Sequence, residues 1–366
     1  MSNTARQQQL HDIIKEKLRP HVRQIDAEGQ YPLGYLQALG EAGLYDADGS
    51  EPGRSIRDRV RLIEMTAQTC LTSAFNIWCH LAAVTYVGTS DNERLKQEVL
   101  PGLLDGRLRG GTGLSNPMKY YAGLDQLYLK AEPDGEGGYR LQGTLPMVSN
   151  LGEDHWFAAV AETADHERIV FFLPCTAQGL HRTERVGYLG LNGSATYACV
   201  FNQVEAGEQW VLSQDADSWI RQVRSIFILY QIPLGLGLVN ACIETMRKSA
   251  AIQGGCSQYL AVQPEHLEEA LIQLRERTYM LAVSPSLSAS WSEVLKLRLQ
   301  TVHLTLQAAQ AAMLFQGSAG YQQNSGPARR LREAYFYANL TPSVRHLEKL
   351  NRLLSNQDQG NVTIGQ

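Results

Sequence analysis

The distribution of hydrophobic residues constrains the fold more than any other feature of the chain, because its period changes twice. Residues 8 to about 110 repeat apolar side chains at three- and four-residue steps, which places them on one face of a helix. From 126 to about 211 the chain carries short β-type runs such as RIVFFL and TYACVF, separated by turn sequences. The helical period returns near residue 218. This order predicts a multidomain α+β protein.

Three structural units follow from this layout. At 366 residues the chain is long enough for two or three units of roughly 100–200 residues each. We predict an all-helical domain over 1–110, a middle antiparallel β-domain over 111–215 and a C-terminal four-helix bundle over 216–366. The last unit contains four candidate helices, over 220–250, 264–285, 287–316 and 328–356.

Composition and charge exclude several kinds of partner. Hydrophobic residues make up 44% of the chain and charged residues 19%, as in folded globular proteins. The formal net charge is −4 without a block of like charge, so neither nucleic acid nor an anionic membrane is an expected partner. The most apolar stretch, 226–243, contains Gln231, Pro233 and Asn240, which favours a buried helix over a membrane span.

The N-terminal sequence and the cysteines predict a cytoplasmic location. The segment MSNTARQQQL lacks the apolar run of a secretory signal. The six cysteines include no CxxC pair and lie in apolar contexts, which is typical of reduced thiols in a core.

Several site motifs are absent from the sequence. The segment GLGLVN at 235–240 lacks the third glycine of a dinucleotide loop and does not follow a predicted strand. No GxxxxGK[ST], GxSxG, HxxxH or HExxH motif occurs. A phosphate loop, a hydrolase nucleophile and a metal site are therefore not predicted.

Six weak motifs occur in one order along nearly the whole chain. The first consists of Asp26, Pro32, Leu39, Gly40, Gly43 and Leu44, and the others are EVLPGLLDGRLRGG, LSNPMKYYAGLD, GYRLQGTLPMVSN, LGLNGSAT and GSAGYQQNSGPARRLREA. In this order the chain resembles the acyl-CoA dehydrogenase family of FAD flavoproteins.

The resemblance implies a cofactor, partners and an activity. It implies FAD, with FMN as a possible substitute, held between the β-domain and the bundle, and a homodimer or homotetramer that completes the site. The implied activity is oxidation of the CH–CH bond of an acyl-CoA or acyl-carrier thioester, with hydride transfer to FAD. An electron-transfer flavoprotein is an implied acceptor.

The resemblance also assigns residues to the flavin ring. Leu114 and Ser115 are implied to meet its pyrimidine edge, and Ser149 to meet N5 in place of the family's threonine. Met147 replaces the tryptophan that covers the ring, and it packs without stacking as tryptophan does. From the residues alone, Ser115 is also explained as a turn or cap residue and Ser149 as a strand-end hydroxyl.

Two further positions are implied near the rest of the FAD. Gly317 is implied to approach the adenosine side, and Ser343 replaces a threonine that contacts FAD. A helix C-cap explains Gly317 equally well. Tyr321 is predicted to be a core residue.

The sequence departs from the family at the catalytic base. Counting from Arg332, the position of the family's glutamate is occupied by Thr341, whose hydroxyl is not a base near neutral pH. The alternative glutamate position, eight residues before Pro233, is occupied by Ser225. The resemblance therefore implies a divergent member of the family that lacks the usual catalytic glutamate and whose true base is unknown.

A second departure concerns the cofactor. An alanine, Ala250 or Ala251, replaces the arginine that reaches the FAD pyrophosphate in the family. Gly123-Leu124 and Asn192 stand at two other altered positions. The sequence therefore predicts weakened FAD binding.

Three functions stay open: the acyl thioester dehydrogenase, a flavin-dependent monooxygenase, and a catalytically degraded flavin- or acyl-binding protein. For the monooxygenase, His80 in NIWCHLAAV is the histidine that the resemblance places near the flavin, and His346 is a second candidate. The alternatives are a hydrogen-bonded core histidine for His80 and a solvated helix face for His346.

Overall fold

The computed structural model describes residues 3–46 and 54–362. Residues 1–2, 47–53 and 363–366, which belong to the predicted first and third domains, lie outside the described residues. The three-part order predicted from the sequence is confirmed: N-terminal helices, a central sheet and C-terminal helices.

Seven α-helices are described before the sheet. They are α1 (Asn3–Ile13), α2 (Val22–Ala27), α3 (Leu33–Glu41), α4 (Arg54–Thr69), α5 (Leu71–Gly88), α6 (Glu93–Glu98) and α7 (Leu100–Leu104). Every residue from Leu71 to Val87 is buried, as the uniformly apolar sequence predicts. A short π-helical turn, Ile14–Leu18, and a 3₁₀ turn, Arg19–His21, join α1 to α2.

His80 joins this central helix α5 to its neighbours. Its Nε2 lies 2.9 Å from the carbonyl oxygen of Leu103, and its Nδ1 accepts a hydrogen bond of 3.1 Å from the backbone N–H of Gly110. Both ring nitrogens are therefore satisfied by the backbone, which fixes Nε2 as the protonated nitrogen. Burial lowers the pKa of His80 to about 3, so the imidazole is neutral in the folded protein. The interpretation as a core histidine is correct.

Acidification is expected to destabilise the fold through His80. The unfolded imidazole has a pKa of about 6.5, so between pH 6.5 and about 3 the unfolded chain binds more protons than the folded one. Stability is therefore lost as the pH falls through that window. In the His80→Asn variant this part of the loss should disappear. The slope of the free energy of unfolding against pH should then be shallower by up to about 1.4 kcal/mol per pH unit. Urea unfolding from pH 7 to pH 4 measures both slopes, and equal slopes would contradict the assignment.

The central sheet has eight strands. They are β1 (Arg109–Thr112), β2 (Leu129–Pro133), β3 (Tyr139–Val148), β4 (His155–Glu162), β5 (Arg168–Pro174), β6 (Leu180–Glu184), β7 (Tyr197–Ala206) and β8 (Val211–Ser213). Their order is β6-β7-β3-β2-β4-β5-β8, with β1 also paired to β4. The strand β1 spans the predicted boundary between residues 110 and 111.

The sheet is mixed, so the purely antiparallel β-domain predicted from the sequence is wrong in that respect. Both β1 and β2 run parallel to β4, and the other pairs are antiparallel. After the β2–β3 hairpin the chain crosses back to pair β4 with β2 instead of β3. The helix α8 (Ser115–Tyr121) connects β1 to β2. A tight hairpin turn at this point would have made β1 and β2 an antiparallel pair.

Six helices form the C-terminal part. They are α9 (Ala216–Leu229), α10 (Ile232–Ser249), α11 (Pro264–Ala282), α12 (Trp291–Gln316), α13 (Gly326–Asn339) and α14 (Val344–Val362). The helix α10 packs against α4, α11 and α12, and α12 packs against α13 and α14. Two predicted helices are each divided in two, next to Pro233 and Pro342. Proline lacks the N–H that a continuing helix needs and restricts the preceding residue.

The most apolar segment of the chain is part of this core. The stretch Ala216–Ser249 has the length and hydropathy of a membrane span, and 89% of its most apolar window is buried inside the protein. Five cysteines are buried as predicted, but Cys256 is exposed. It lies in a 3₁₀ segment, Ile252–Tyr259, that covers little of the core.

Candidate functional site

A cavity of about 330 Å³ lies between the sheet and α13. We call it the interdomain cleft. Its lining residues come from the end of β3, the segment between β6 and β7, and α13: Met147, Ser149, Tyr188, Leu189, Gly190, Leu191, Ser194, Thr196, Arg332, Tyr335, Phe336 and Asn339. The lining therefore includes Met147 and Ser149 at the end of β3. The resemblance implies that both residues contact the flavin ring.

Three hydroxyl groups form a chain on the sheet side of this cleft. Ser149 directly follows β3, and its Oγ shares a hydrogen bond of 2.8 Å with Oγ1 of Thr196. That Oγ1 also lies 2.9 Å from Oγ of Ser194. Sequence reasoning missed Ser194 and Thr196 as lining residues, although both belong to the quoted motif LGLNGSAT. Met147 is 54% exposed, so its side chain is available to a ligand.

A second, smaller cavity of about 80 Å³ is lined by Thr341, the residue that the sequence predicts at the family's glutamate position. We call it the Thr341 pocket. Its lining comes from α8, α9, α12 and α14 and from the segment before α14: Met118, Lys119, Tyr121, Ala122, Leu124, Ile220, Arg224, Ile228, Trp291, Thr341, Pro342, His346 and Leu350. No aspartate or glutamate is among these residues.

Two hydrogen bonds hold Thr341 in its loop. Its Oγ1 shares a hydrogen bond of 3.0 Å with Oγ of Ser115 at the start of α8. Its carbonyl accepts a 3.0 Å bond from Nε2 of Gln231, which lies in the break between α9 and α10. Gln231 in turn accepts a bond from Arg298 of α12, which also stacks on Tyr337. The two proline breaks therefore meet at Thr341.

The charged lining of the Thr341 pocket is cationic. Lys119 and Arg224 line it together with His346, whose pKa is lowered by burial and by the charges of Arg345 and Lys119. The interpretation of His346 as part of a solvated helix face is wrong, because α14 turns it into this pocket.

The carboxylate of Asp217 lies close to this pocket, but it is hydrogen-bonded to two other side chains. It accepts bonds of 2.7 and 2.5 Å from Arg168 and one of 2.7 Å from the hydroxyl of Tyr121, which lines the pocket. The guanidinium of Arg168 holds the pKa of Asp217 below its usual range. Asp217 is therefore a charged, hydrogen-bonded structural residue.

Two other sequence-predicted residues are buried beside the two cavities. Leu114 is fully buried, and its N–H donates a 3.4 Å bond to Oγ1 of Thr112. Ser343 is 6% exposed, and its Oγ is buried without a hydrogen-bond partner. An unpaired buried hydroxyl costs free energy, which a ligand atom would recover.

Gly317 lines neither cavity. It ends α12 with a φ of 61°, and its N–H bonds back to the carbonyls of Met313 and Leu314. The helix C-cap interpretation describes this geometry. The nearby Tyr321 is 86% exposed, so its prediction as a core residue is wrong. The glycines and turn residues around it carry the chain out over the surface.

The interdomain cleft suits a flavin ring better than it suits a diphosphate. It offers the exposed Met147 and the hydroxyl chain, with the unpaired Oγ of Ser343 buried two residues beyond Thr341. The one arginine in its lining, Arg332, is bonded at 2.5 Å to Asp26. Ala250 and Ala251 are exposed at the end of α10.

Comparison with known proteins supports the same class. Residues 2–107 match the sequence model of the family described as acyl-CoA dehydrogenase, N-terminal domain. The probable acyl-CoA dehydrogenase YngJ of Bacillus subtilis (strain 168) is 23% identical over 359 residues, covering 88% of this chain and 90% of that protein.

Solved structures share the fold over nearly the whole chain. Butyryl-CoA dehydrogenase from Megasphaera elsdenii has a TM-score of 0.84 at 15% identity, covering 96% of this chain and 97% of that one. Dibenzothiophene monooxygenase from Paenibacillus sp. A11-2 has a TM-score of 0.77 at 15% identity, with the same two coverages.

The fold is that of the acyl-CoA dehydrogenases, and the chain is similar to this class of flavin-dependent oxidoreductases. The resemblance inferred from the motifs is confirmed by the match of residues 2–107 to the N-terminal domain of the family.

Proposed function

We propose that this protein is a flavin-dependent oxidoreductase that binds the flavin ring in the interdomain cleft and its substrate in the Thr341 pocket. The observation that carries the proposal is the adjacency of the two cavities. Asn339 lines the cleft and Thr341 lines the pocket, two residues further along the same segment. A substrate in the pocket would therefore lie beside a ring in the cleft.

Different residues of the chain would pack against the FAD and hydrogen-bond to it. Met147 and Phe336 would pack against the ring, and the hydroxyls of Ser149 and Ser343 would supply hydrogen bonds. A bound flavin would supply a two-electron acceptor. Its ring is expected to exclude water from the boundary between the cleft and the pocket, where Ser115 and Thr341 now bond to each other.

The first candidate reaction is oxidation of the CH–CH bond of an acyl thioester. The names of the related proteins favour it, since they are acyl-CoA and butyryl-CoA dehydrogenases. The reaction requires a base for the α-proton, and general base catalysis contributes about 10²–10⁴-fold. The Thr341 pocket has no carboxylate in its lining, so we expect this reaction to be slow.

The second candidate reaction is flavin-dependent monooxygenation. The same lack of a lining carboxylate favours it, because no α-proton has to be removed. His346 provides a neutral imidazole in the pocket, with its Nδ1 accepting a 3.4 Å bond from the N–H of Ser343. A flavin- or acyl-binding protein without turnover is the remaining alternative.

The absorption spectrum and two titrations separate these functions. A flavin spectrum that bleaches on anaerobic addition of butyryl-CoA would support the dehydrogenase. A flavin that resists thioesters but consumes O₂ in the presence of a flavin reductase and a substrate would support the monooxygenase. Purified protein that takes up neither FAD nor FMN would overturn the proposal.

Flavin affinity is expected to discriminate poorly between FAD and FMN. One charge-assisted hydrogen bond to the diphosphate, worth about 1.5–3 kcal/mol, is missing at Ala250 or Ala251. That loss corresponds to roughly ten- to a hundredfold in affinity. Equilibrium dialysis with each flavin should give dissociation constants within about tenfold of each other. Stoichiometric FAD that survives dialysis, with FMN bound far more weakly, would contradict the expectation.

We also propose a homodimer or homotetramer in the cytoplasm, with an electron-transfer flavoprotein as acceptor. Large apolar side chains, including Val186, Leu189 and Tyr321, are at least 73% exposed, which suits coverage by a second copy. Light scattering during size-exclusion chromatography tests the oligomer, and a monomer at micromolar concentration would contradict it.

A further inference from the structure

The Thr341 pocket collects basic side chains from three segments that are far apart in the sequence. The charged Lys119 and Arg224 come from α8 and α9, and the neutral imidazole of His346 comes from α14. Carboxylates on the same helices are engaged elsewhere, since Asp217 bonds to Arg168 and Glu348 to His303. The positive charge in the pocket is thus left without a lining carboxylate to offset it.

Arg224 is oriented for a ligand. Its guanidinium carbon lies 4.7 Å from the centre of the Trp291 ring, a cation–π contact that fixes the plane of the group. Its Nε is buried and has no hydrogen-bond partner in the structure. An unsatisfied N–H of a charged group costs more than a neutral one, and an acceptor in the pocket would remove that cost.

The rest of the lining is mostly apolar. Met118, Ile220, Ile228 and Leu350 surround the charged groups. A cavity of about 80 Å³ has room for a head group, and a longer ligand would have to extend out of it. The lining therefore suits a molecule with a compact anionic end on an apolar body.

We propose that the Thr341 pocket binds the anionic head group, a carboxylate or a phosphate, of an otherwise apolar ligand, with Arg224 as its main contact. A planar guanidinium pairs with such groups through two parallel hydrogen bonds. As a statement about the substrate class, the inference rests on the proposed flavin-dependent function. As a statement about a binding site, it can be tested without any turnover.

Isothermal titration of the purified wild-type protein with benzoate and benzamide provides the first test. The two ligands have nearly the same shape and differ in charge. Benzoate should bind at least about tenfold more tightly, as a charge-assisted contact requires. If neither benzoate nor phenyl phosphate binds more tightly than benzamide, the proposal is overturned. Phenyl phosphate is the third ligand, and whichever anion binds more tightly identifies the head group.

A matched pair of variants locates the contact. Arg224→Gln should weaken binding of the preferred anion at least about tenfold, and Arg224→Lys should recover part of it. Arg221→Gln is the control, because Arg221 is an exposed arginine one turn earlier on α9 and does not line the pocket. Equal effects of Arg224→Gln and Arg221→Gln would show that the site lies elsewhere. If Arg224→Gln fails to fold, the wild-type ligand comparison still decides.

Flavin uptake separates this inference from the proposed function. Charge-dependent benzoate binding by a protein that takes up no flavin would support the anion site and overturn the oxidoreductase. A flavin-loaded protein that binds benzoate, phenyl phosphate and benzamide alike would support the oxidoreductase and overturn the anion site.

Discussion

Replacing Thr341 by glutamate is expected to raise the rate of flavin reduction by a saturated acyl thioester about 10²–10⁴-fold. The side chain of Thr341 already lies in the pocket, 3.0 Å from Ser115, so a carboxylate there would reach the space beside the cleft. An alcohol cannot take the α-proton near neutral pH, whereas a carboxylate can. Rapid-mixing reduction kinetics with butyryl-CoA, under anaerobic conditions, measure the change.

The neighbouring charges determine where in that range the gain falls. Burial raises the pKa of an introduced carboxyl, which makes it a stronger base, but the charges of Lys119 and Arg224 lower it. We therefore expect the gain in Thr341→Glu to lie nearer 10²-fold, and to increase when Arg224→Gln is added.

Thr341→Gln is the control for this experiment. It has the size and shape of the glutamate variant but no basic oxygen, so it should reduce the flavin no faster than the wild type. If the wild type is already reduced at an enzymatic rate and Thr341→Glu is no faster, the working base lies elsewhere. In that case the assignment of Thr341 to the glutamate position would be mistaken.

Replacing Glu333 by alanine is expected to cost about 3–5 kcal/mol of unfolding free energy. Glu333 is 3% exposed, and its Oε1 accepts a 3.1 Å bond from the N–H of Leu71 at the start of α5. The same oxygen lies 3.9 Å from Nε of Arg329, which is also buried. The variant would leave the amide of Leu71 without its acceptor and the buried guanidinium of Arg329 without its counter-charge.

Urea unfolding, followed by circular dichroism, tests this prediction. Glu333→Gln keeps an acceptor for Leu71 but removes the charge, so it should fall between the wild type and the alanine variant. Glu348→Ala is the control, because its pair with His303 is 44–56% exposed and such pairs contribute about 1 kcal/mol or less. A loss below about 1 kcal/mol in Glu333→Ala would show that Arg329 finds another partner.

The motif order in the sequence was sufficient for the fold. Counting residues from Arg332 selected Thr341, and the pattern GYRLQGTLPMVSN selected Ser149 at the end of its strand. Both residues line cavities in the structure, Ser149 the interdomain cleft and Thr341 the Thr341 pocket. Their roles toward a flavin and a substrate stay predictions.

Other features of the site were missed because they depend on which segments pack together. The sequence left His80 open between an active-site residue and a hydrogen-bonded core residue, and its bonds to Leu103 and Gly110 decide for the core. No sequence pattern pointed to Arg224, although that residue directly precedes Ser225, the alternative glutamate position. The same holds for Lys119, which lies within the quoted segment LSNPMKYYAGLD.

Taken alone, the sequence determined the α, β, α order and the resemblance to the acyl-CoA dehydrogenases, and it predicts that Thr341 stands at the glutamate position. Hydrophobic period, proline positions and motif spacing are local properties, so they can be read along the chain. Only the tertiary structure decided that the sheet is mixed and that the Thr341 pocket is cationic. The reason is that Lys119, Arg224 and His346 are up to 227 positions apart and meet only when α8, α9 and α14 pack around one loop. Charge at a site is a sum over neighbours in space, which no linear pattern records.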